Sequence, residues 1–379
     1  MRYCKKCVMP DTRPGITFDK EGVCEACRNV EKRKNINWNK RLEELKELCN
    51  KYRKNDGSYD CIIPVSGGKD SHFQIYVMKE LMKMNPLLIN VSNFDWTEAG
   101  RHNFNNMSET FGCDIISLHI NRLLAKKMIR IAFEELGSPT WIWDRAVYVF
   151  PMRIAINFKI PLVVYGENIS YEYGGFLKEE TYSAKDQIKN DVVKPVPLEL
   201  WLKRGITKKE LNNILTIAYP PVEEIEKAGI EPIYLSYFVP WDQYHNYEIA
   251  RRYGFKNLSD EWDREGCIEN FHQIDSVGYL VHPWLKYPKF GHARVTDVTS
   301  YLIRHGRMTR DEAIKLVKER DHILDQKSIE VFCEFTGYTV KEFWDIVEKF
   351  WNRKIFENVN GIWKLKDPIW EQNENKNRR

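Results

Sequence analysis

The strongest constraint on the fold is an alternation of short apolar runs with amphipathic segments that begins at Tyr59. The runs are "CIIPV", "LLINV", "CDIISLHI", "PLVVYGEN" and "IEPIYLSYFVP", and the segments between them space their apolar residues as helices do. Alternating βα units with apolar strands predict an α/β fold, a doubly wound parallel sheet covered on both faces. Pro64 lies inside the first run and has no N–H to donate, so we expect a local irregularity there.

The segments around this pattern differ in composition. From Tyr171 to Gly229 the strand signal weakens, which indicates an insertion with mobile loops on the substrate side. Beyond residue 298 the chain turns helical, and "TRDE" at Thr309 and "TVKE" at Thr339 are capping boxes that open helices. The predicted organisation is a cysteine module at 1–35, a connector helix at 36–58, the α/β domain at 59–257 with its insertion at about 171–229, a substrate-binding and helical region at 258–370, and a disordered tail at 371–379.

Two CxxC pairs stand close to the N-terminus, "CKKC" at Cys4 and Cys7 and "CEAC" at Cys24 and Cys27. This spacing is typical of a four-thiolate zinc site. The intervening segment is rich in charge and buries little apolar surface, so Zn²⁺ would supply its folding energy. A redox dithiol and an iron–sulfur cluster remain alternatives. The remaining cysteines are isolated and are expected to be small core residues: Cys49, Cys61, Cys113, Cys267 and Cys333.

Charge and hydropathy exclude several classes of partner. The chain has 58 basic and 54 acidic residues, so its net charge of +4 gives no dominant field for nucleic acid. The opening "MRYCKKCVMP" has no apolar leader, and the apolar stretch "WIWDRAVYVFPMRIAI" is interrupted by charge. We therefore expect a cytoplasmic protein with neither a membrane nor a nucleic acid as its partner.

The loop "SGGKDS" at residues 66–71 follows the first strand and opens a helix. Backbone N–H groups in such a turn can point at an anion, and the glycines let a phosphate approach. A Walker A loop would need a glycine and a hydroxyl residue where this chain has Ile63 and Asp70, and the dinucleotide GxGxxG spacing is missing as well. The loop therefore indicates a different class of nucleotide site.

"SGGKDS" resembles the pyrophosphate-binding loop, or PP-loop, of the ATP pyrophosphatase superfamily, whose members split ATP into AMP and pyrophosphate on a doubly wound parallel sheet. The resemblance implies ATP and Mg²⁺ as cofactors. It implies catalytic roles for Lys69 and Asp70, with Asp70 near the magnesium. The residues implied around the pyrophosphate are Ser66, Gly67, Gly68, Lys69 and Ser71.

Nearly the whole chain resembles the N-acetyl sugar amidotransferases of bacterial lipopolysaccharide, O-antigen and surface-glycan biosynthesis. Besides the loop, the resemblance lies in "RYCKKCVMPDTRPGITFDKEGVCEAC", "YGENISYEYGG" and "ENFHQIDSVGYLVHPWLKYPKFGHARVTDVTSYLIRHGRMTRDEA". It implies conversion of an acetamido group on a nucleotide-activated sugar to an acetamidino group. ATP would form an O-adenylyl imidate, and ammonia would expel AMP. Lys286, Lys289 and Arg294 are then candidates to bind phosphate or substrate, with Lys289 and Arg294 in the reaction itself.

The ammonia is expected to come from a separate glutaminase subunit. The second residue is Arg2, so methionine removal would not expose an N-terminal cysteine nucleophile, and neither Cys113 nor Cys267 stands in a nucleophile turn. In the family that this chain resembles, the partner is similar to the two-subunit ammonia channel of histidine biosynthesis.

Four further residues follow predicted strands at the edge where open α/β sheets bind ligands. Gly166, Glu167 and Asn168 end one strand, and we expect them to contact nucleotide, substrate or magnesium. Asp95 follows the second strand and could face the adenosine or the reacting group. A turn or helix-cap role for Asp95 is equally open.

Two other functions remain open at this point. Some tRNA thiolation enzymes also join an N-terminal CxxC zinc module to an "SGGKDS" loop, although this chain has few cysteines near its loop and little RNA footprint. The second alternative is a zinc-ribbon scaffold protein with an inactive nucleotide fold. The intact lysine, aspartate and serine at residues 69–71 argue against it.

Overall fold

A five-stranded parallel sheet organises the protein, seen in a computed structural model that describes residues 1–176, 179–187, 196–212 and 219–372. The strand order β3-β2-β1-β4-β5 confirms the doubly wound sheet. Successive connections run outward in opposite directions from β1 and β4, and ligands bind outside the carboxyl ends of strands at such a switch point. The strands are β1 (Cys61–Val65), β2 (Pro86–Val91), β3 (Ile115–Leu118), β4 (Leu162–Tyr165) and β5 (Glu231–Tyr234).

Pro64 has the expected local effect. All five residues of β1 pair with β2, whereas the pairing of β1 with β4 is confined to Cys61 and Ile62. Because proline cannot donate to a ladder, β1 and β4 separate towards their carboxyl ends. This opening lies directly before the glycine loop.

Helices cover both faces of the sheet. Ile62 joins one apolar cluster and its neighbour Ile63 the other, as the two-residue period of a strand requires. Four helices pack on the Ile63 face: α2 (Trp38–Tyr52), α3 (Lys69–Ile75), α4 (Glu98–Phe111) and α11 (Gln243–Arg252). Two helices, α5 (Arg122–Leu136) and α6 (Trp141–Phe158), pack on the Ile62 face. Helix α2 provides the helix expected in the connector, and α1 (Glu25–Arg33) closes the cysteine module.

The helix expected through Phe73, Val77 and Leu81 is not uniform. Helix α3 ends at Ile75, and the chain continues as a π-helical turn over Tyr76–Leu81. Leu81 is exposed, so the apolar face of the helix ends earlier than its spacing predicts.

The insertion is helical where it is described. It contains α7 (Ile169–Tyr173), α8 (Leu198–Lys203), α9 (Lys208–Asn212) and α10 (Val222–Lys227). Ser183 also forms a bridge to Ile233 on the edge strand, which the weak strand signal did not predict. The insertion's residues 177–178, 188–195 and 213–218 lie outside the described residues, as do residues 373–379 of the expected tail.

The C-terminal region is helical as expected, and both capping boxes are present. Thr309 and Thr339 each accept from the backbone N–H three residues on, and the glutamate there accepts in return. The helices are α12 (Val281–Trp284), α13 (Lys286–Phe290), α14 (Arg294–Arg304), α15 (Arg310–Arg320), α16 (Gln326–Thr336) and α17 (Val340–Val347). Several of them, including α16 and α17, extend the apolar cluster on the Ile62 face.

A β-hairpin at the end of this region departs from the helical expectation. Strands β6 (Phe356–Val359) and β7 (Ile362–Leu365) pair antiparallel through Asn360 and Gly361, both with positive φ. Asn-Gly at the centre of a two-residue turn is a strong hairpin signal. Glu371 and Gln372, assigned to the tail, instead lie in a helical turn that packs back on Met1.

Across the described ranges, no helix combines the length and the apolar character needed to cross a bilayer. Helix α6 is apolar but holds several charged residues along its 18 positions.

Candidate active site

The glycine loop is held open by its own hydroxyl groups. Ser66 donates its N–H to Ser71 Oγ at 3.0 Å, and Gly68 donates its N–H to Ser66 Oγ at 3.2 Å. Gly67 has φ of +102°, and a side chain there would press on the backbone of Phe104. The first helical bond runs from the His72 N–H to the Gly68 carbonyl, so the preceding N–H groups have no intrahelical acceptor. The loop can therefore present these donors to a phosphate.

Lys69 and Asp70 form a polar pair at the start of α3. Lys69 is 3% exposed, and its Nζ lies 2.5 Å from Asp70 Oδ2. The other oxygen of Asp70 accepts from Asn246 Nδ2 at 2.9 Å. Asn246 is fully buried on α11, and its own Oδ1 has no hydrogen-bond partner among the described residues. Lys69 thus provides a charged donor beside the loop, and Asn246 provides an acceptor that no described residue occupies.

Glu167 adds a second carboxylate to this edge of the sheet. Burial, and then repulsion from Asp70, raise the pKa of Glu167 to about 7. Burial and then the charges of Glu167 and Asp70 raise the pKa of Tyr173 well above its usual value. Two carboxylates that repel each other beside a phosphate loop are suited to share a divalent cation. Asp70 and Glu167 are therefore the residues that could hold Mg²⁺.

The neighbours of Glu167 have structural contacts. A Cβ at Gly166 would lie 2.9 Å from the Trp241 ring, so the strand end can approach the segment before α11 only as glycine. Asn168 Oδ1 accepts from the Tyr171 N–H at 3.3 Å and caps α7. Capping occupies this oxygen of Asn168, so ligand contact by the side chain stays a prediction.

A cavity of about 290 Å³ opens beside the loop. Its walls come from the loop, the end of β2, helices α5, α6 and α16, and the segment before α12. Polar lining residues are Ser66, Asn93, Asp95, Thr140, Asp144, Gln273, Asp275, Ser276 and Tyr279; Phe94, Trp143 and Phe335 give it aromatic walls. A small number of polar groups on an aromatic surface is the usual character of a ligand site.

Asp95 lines this cavity and also ties the segment after β2 to the segment before α12. Its Oδ1 accepts from Ser276 Oγ at 2.7 Å and its Oδ2 from the Gly278 N–H at 2.5 Å. Burial raises the pKa of Asp95, and these two donors oppose the effect. The turn-anchoring alternative is therefore what the structure shows, and contact with adenosine stays a prediction.

Asp144 is a cavity residue that the sequence analysis missed. Burial raises the pKa of Asp144 to about 7, opposed by the Thr140 hydroxyl, which donates to it at 2.6 Å. His282 Nε2 lies 3.8 Å from the same carboxylate. The "WIWDRAV" segment contained the signal, a single acid in an apolar helix, but it served only as a sign against a membrane span.

The three basic candidates of the C-terminal region all have partners. Lys286 pairs with Asp297, and Lys289 donates to the Gly137 carbonyl at 2.7 Å. Burial and then Lys286 lower the pKa of Lys289 to about 8. Arg294 pairs with Glu269 at 2.8 Å. Lys286 and Lys289 lie together, whereas Glu269 holds Arg294 apart, so a catalytic role for Arg294 stays a prediction.

His272 is a second missed residue. Burial and then the charge of Lys69 lower the pKa of His272 well below its usual value, so the ring is neutral. Its Nε2 has no hydrogen-bond partner in the described part of the chain. His272 lies in "ENFHQIDS", but the sequence alone does not show that it comes near Lys69, because that contact depends on the packing of two segments some 200 residues apart.

The four N-terminal cysteines converge as their spacing predicts. All are buried, and their sulfur atoms lie within 4.8 Å of one another. Sγ–Sγ distances of 3.7 and 3.9 Å match the edge of about 3.8 Å expected for a tetrahedron with metal–sulfur bonds of about 2.3 Å. Backbone N–H groups of Lys6, Cys7 and Cys24 donate to Cys4 Sγ, which would stabilise a thiolate. The donor set fits a metal, and the choice of Zn²⁺ stays a prediction.

Comparison with known proteins adds an assignment for the C-terminal region. Residues 265–368 match the family model described as the C-terminal domain of the WbpG-like lipopolysaccharide biosynthesis proteins. Protein MJ1599 of Methanocaldococcus jannaschii, itself uncharacterised, is 30% identical over 117 residues, which are 31% of this chain. The matched segment spans 42% of that relative's length.

Two solved structures share 16% sequence identity with the chain. The NH3-dependent NAD synthetase from Campylobacter jejuni matches with a TM-score of 0.31 over 51% of this chain and 83% of its own. The U34-tRNA thiolase NcsA from Methanococcus maripaludis, solved with its 4Fe–4S cluster, matches with a TM-score of 0.25 over 67% and 87%. Similarity at this level leaves the substrate open.

The cavity thus joins the glycine loop to the matched region, since Gln273, Asp275 and Tyr279 line it together with Ser66. The match agrees with the expected resemblance over residues 265–368, where the chain is similar to the WbpG-like C-terminal domain.

Proposed function

We propose that this protein is an ATP-dependent amidotransferase that converts an acetamido group of a nucleotide-activated sugar to an acetamidino group, with release of AMP and pyrophosphate. The observation that carries the proposal is the shared cavity. One wall is the phosphate loop, and the opposite wall belongs to a domain of glycan biosynthesis. A nucleotide and a glycan precursor bound there would meet at Ser66.

The chemistry follows from the weak reactivity of an amide. The amide oxygen attacks the α-phosphorus of ATP, the bond to the pyrophosphate oxygen breaks, and an O-adenylyl imidate forms. Ammonia then adds to the imidate carbon, and the carbon–oxygen bond breaks to release AMP and leave the amidine. The protein must stabilise the pyrophosphate leaving group, a task suited to preorganised donors in a water-poor site.

Residues of the loop are placed for that task. The N–H groups before His72 and the ammonium of Lys69 can accept the charge that develops on pyrophosphate. Asp70 keeps Lys69 in place, and Asn246 keeps Asp70 in place. Mg²⁺ held by Asp70 and Glu167 would neutralise phosphate charge when bound.

We also propose that ammonia reaches this site from a separate glutaminase. All nine cysteines of the chain are buried, and four of them lie together in a group that could hold a metal. A glutaminase nucleophile must be accessible to glutamine, so this arrangement supports a partner subunit as the source. The purified chain should use ammonium chloride and fail to use glutamine.

The test incubates the protein with ATP, Mg²⁺, ammonium and a panel of nucleotide-linked diacetamido sugars. Mass spectrometry follows the sugar, and chromatography follows AMP. A product lighter by the difference between an oxygen atom and an NH group, in equal amount to AMP, is the expected result. If AMP forms without any change in sugar mass, or if no sugar in the panel elicits AMP, the proposal is overturned.

A further inference from the structure

The loop between the two cysteine pairs reaches the substrate side of the α/β domain. Arg13 on this loop donates Nε–H to the Gly174 carbonyl at 3.1 Å, and its Nη1 lies 3.1 Å from Asp297 Oδ1. Its side chain is 17% exposed. A residue of the cysteine module is therefore fixed between the segment after α7 and helix α14.

Arg13 belongs to a group of cations, here named the basic cluster: Arg13, Lys286 and Lys289. Asp297 pairs with Arg13 and Lys286 through separate oxygens, and Lys289 donates to the Gly137 carbonyl. Although burial opposes ionisation, Lys286 and then Arg13 hold the pKa of Asp297 well below its usual value. Two of the three basic side chains thus pair with one ionised carboxylate and the third is bound only to a carbonyl, which leaves an excess of positive charge.

A buried histidine beside the cluster is unsatisfied. His292 is 1% exposed, and its Nδ1 lies 3.9 Å from Asp297 Oδ1. Within the described residues its Nε2 has no hydrogen-bond partner. Buried polar atoms are normally paired, so this nitrogen indicates a ligand group that the protein does not itself supply.

The basic cluster adjoins the active-site cavity. Gly137, which accepts from Lys289, precedes the cavity residues Pro139 and Thr140 by two and three positions. His282, on the turn of helix before Lys286, faces the cavity residue Asp144 at 3.8 Å. The segment that carries Lys286 and Lys289 is therefore joined by two contacts to the cavity wall and to the residues that lead into it.

We propose that the basic cluster binds the diphosphate of the nucleotide-activated sugar, and that Arg13 is a binding residue contributed by the N-terminal module. The inference rests on the proposed function. A diphosphate diester is negatively charged, and the cluster has an excess of basic side chains over carboxylates. The planar guanidinium of Arg13 can bind phosphate oxygens through two N–H groups at once, and the two ammonium groups act as point charges beside it.

The test measures uridine diphosphate binding by calorimetry to the full-length protein, with the ATP site saturated by magnesium and α,β-methylene-ATP. Arg13→Gln should weaken uridine diphosphate binding at least about tenfold, as loss of a charge-assisted phosphate contact does. Arg13→Lys should recover part of the affinity. The matched control is Arg2→Gln, because Arg2 lies on the same module, is 81% exposed and should leave the affinity unchanged.

Unchanged uridine diphosphate affinity in Arg13→Gln overturns the inference. Binding of the ATP analogue by the variant checks that its fold is intact. If that binding is lost, Lys286→Met and Lys289→Met are measured in the same way, and unchanged affinity in both overturns the inference. Arg13-dependent binding with no sugar amidinated would refute the proposed function alone, whereas amidination with Arg13-independent binding would refute this inference alone.

Discussion

Replacement of Lys69 by methionine should nearly abolish AMP formation. The side chain is almost fully buried, and its ammonium is held at 2.5 Å from Asp70 beside the N–H groups of the loop. In such a site a charged donor is preorganised, so its stabilisation of departing pyrophosphate needs no rearrangement. Removal of one donor of this kind costs about 3–4 kcal/mol of transition-state stabilisation, a loss of about 10²–10³ in turnover.

The same substitution should leave the fold nearly intact. Methionine keeps the length of the lysine stem and packs in its place. Asp70 loses one partner but still accepts from Asn246 and keeps access to solvent. We therefore expect the free energy of unfolding in urea to fall by about 1 kcal/mol, as for a partly exposed pair. A small change in stability with a large change in turnover identifies a catalytic effect.

The assay measures AMP by chromatography at saturating ATP, sugar and ammonium. Lys83→Met is the matched control, because Lys83 follows the end of the same helical segment and its side chain is 72% exposed beside Glu80. The control should turn over at the wild-type rate. Wild-type turnover in Lys69→Met would refute the role of the loop lysine, whatever the substrate.

Four further predictions concern other parts of the molecule. Burial raises the pKa of Glu167 to about 7, so the folded protein keeps a proton there at pH values where the unfolded chain has lost it. The stability that this proton contributes is lost as pH rises. The unfolding free energy of the wild type minus that of Glu167→Gln, measured by urea titration, should therefore fall on the order of 2 kcal/mol between pH 4.5 and 7. Cys24→Ser should lower metal content in elemental analysis and make the N-terminal module sensitive to protease, and zinc should be the metal that wild-type protein contains. Gly166→Ala would place a carbon 2.9 Å from the Trp241 ring and should cost about 1–3 kcal/mol in unfolding free energy. Thr339→Ala removes a capping box and should cost about 1 kcal/mol in the same measurement without changing turnover.

Local patterns were sufficient for most of the fold. Each of the five strands, and each helix between them, has apolar residues in the pattern typical of its own type of element. The two capping boxes locate the first residues of α15 and α17. The hairpin at Asn360 and Gly361 was predictable too, because that dipeptide stands between two alternating runs in "ENVNGIWKL". It was missed because the helical trend of the region outweighed a two-residue signal. The π-helical turn after Ile75 has no such local signal.

The site divides in the same way. Residues of the glycine loop are contiguous in the chain, so their joint role can be inferred from one stretch of sequence. Asp144 and His272 could not be placed beside the loop, because each reaches it through contacts between distant segments. For Asp95 and Asn168, position at a strand end suggests ligand contact, which stays a prediction. The structure adds that their side chains anchor the Gly278 turn and cap α7.

The cysteine module packs against the elements that form the candidate site. Its helix α1 packs on α7, where Arg33 pairs with Glu172 and Asn29 donates to the Tyr171 carbonyl at 2.9 Å. Removing one partner of a buried pair leaves an uncompensated charge at a cost of about 3–5 kcal/mol, so the module and α7 must order together. Helix α7 follows Glu167 directly. A metal bound by the four cysteines would therefore also fix the position of Glu167, which would give these buried cysteines a structural role beside the glycine loop.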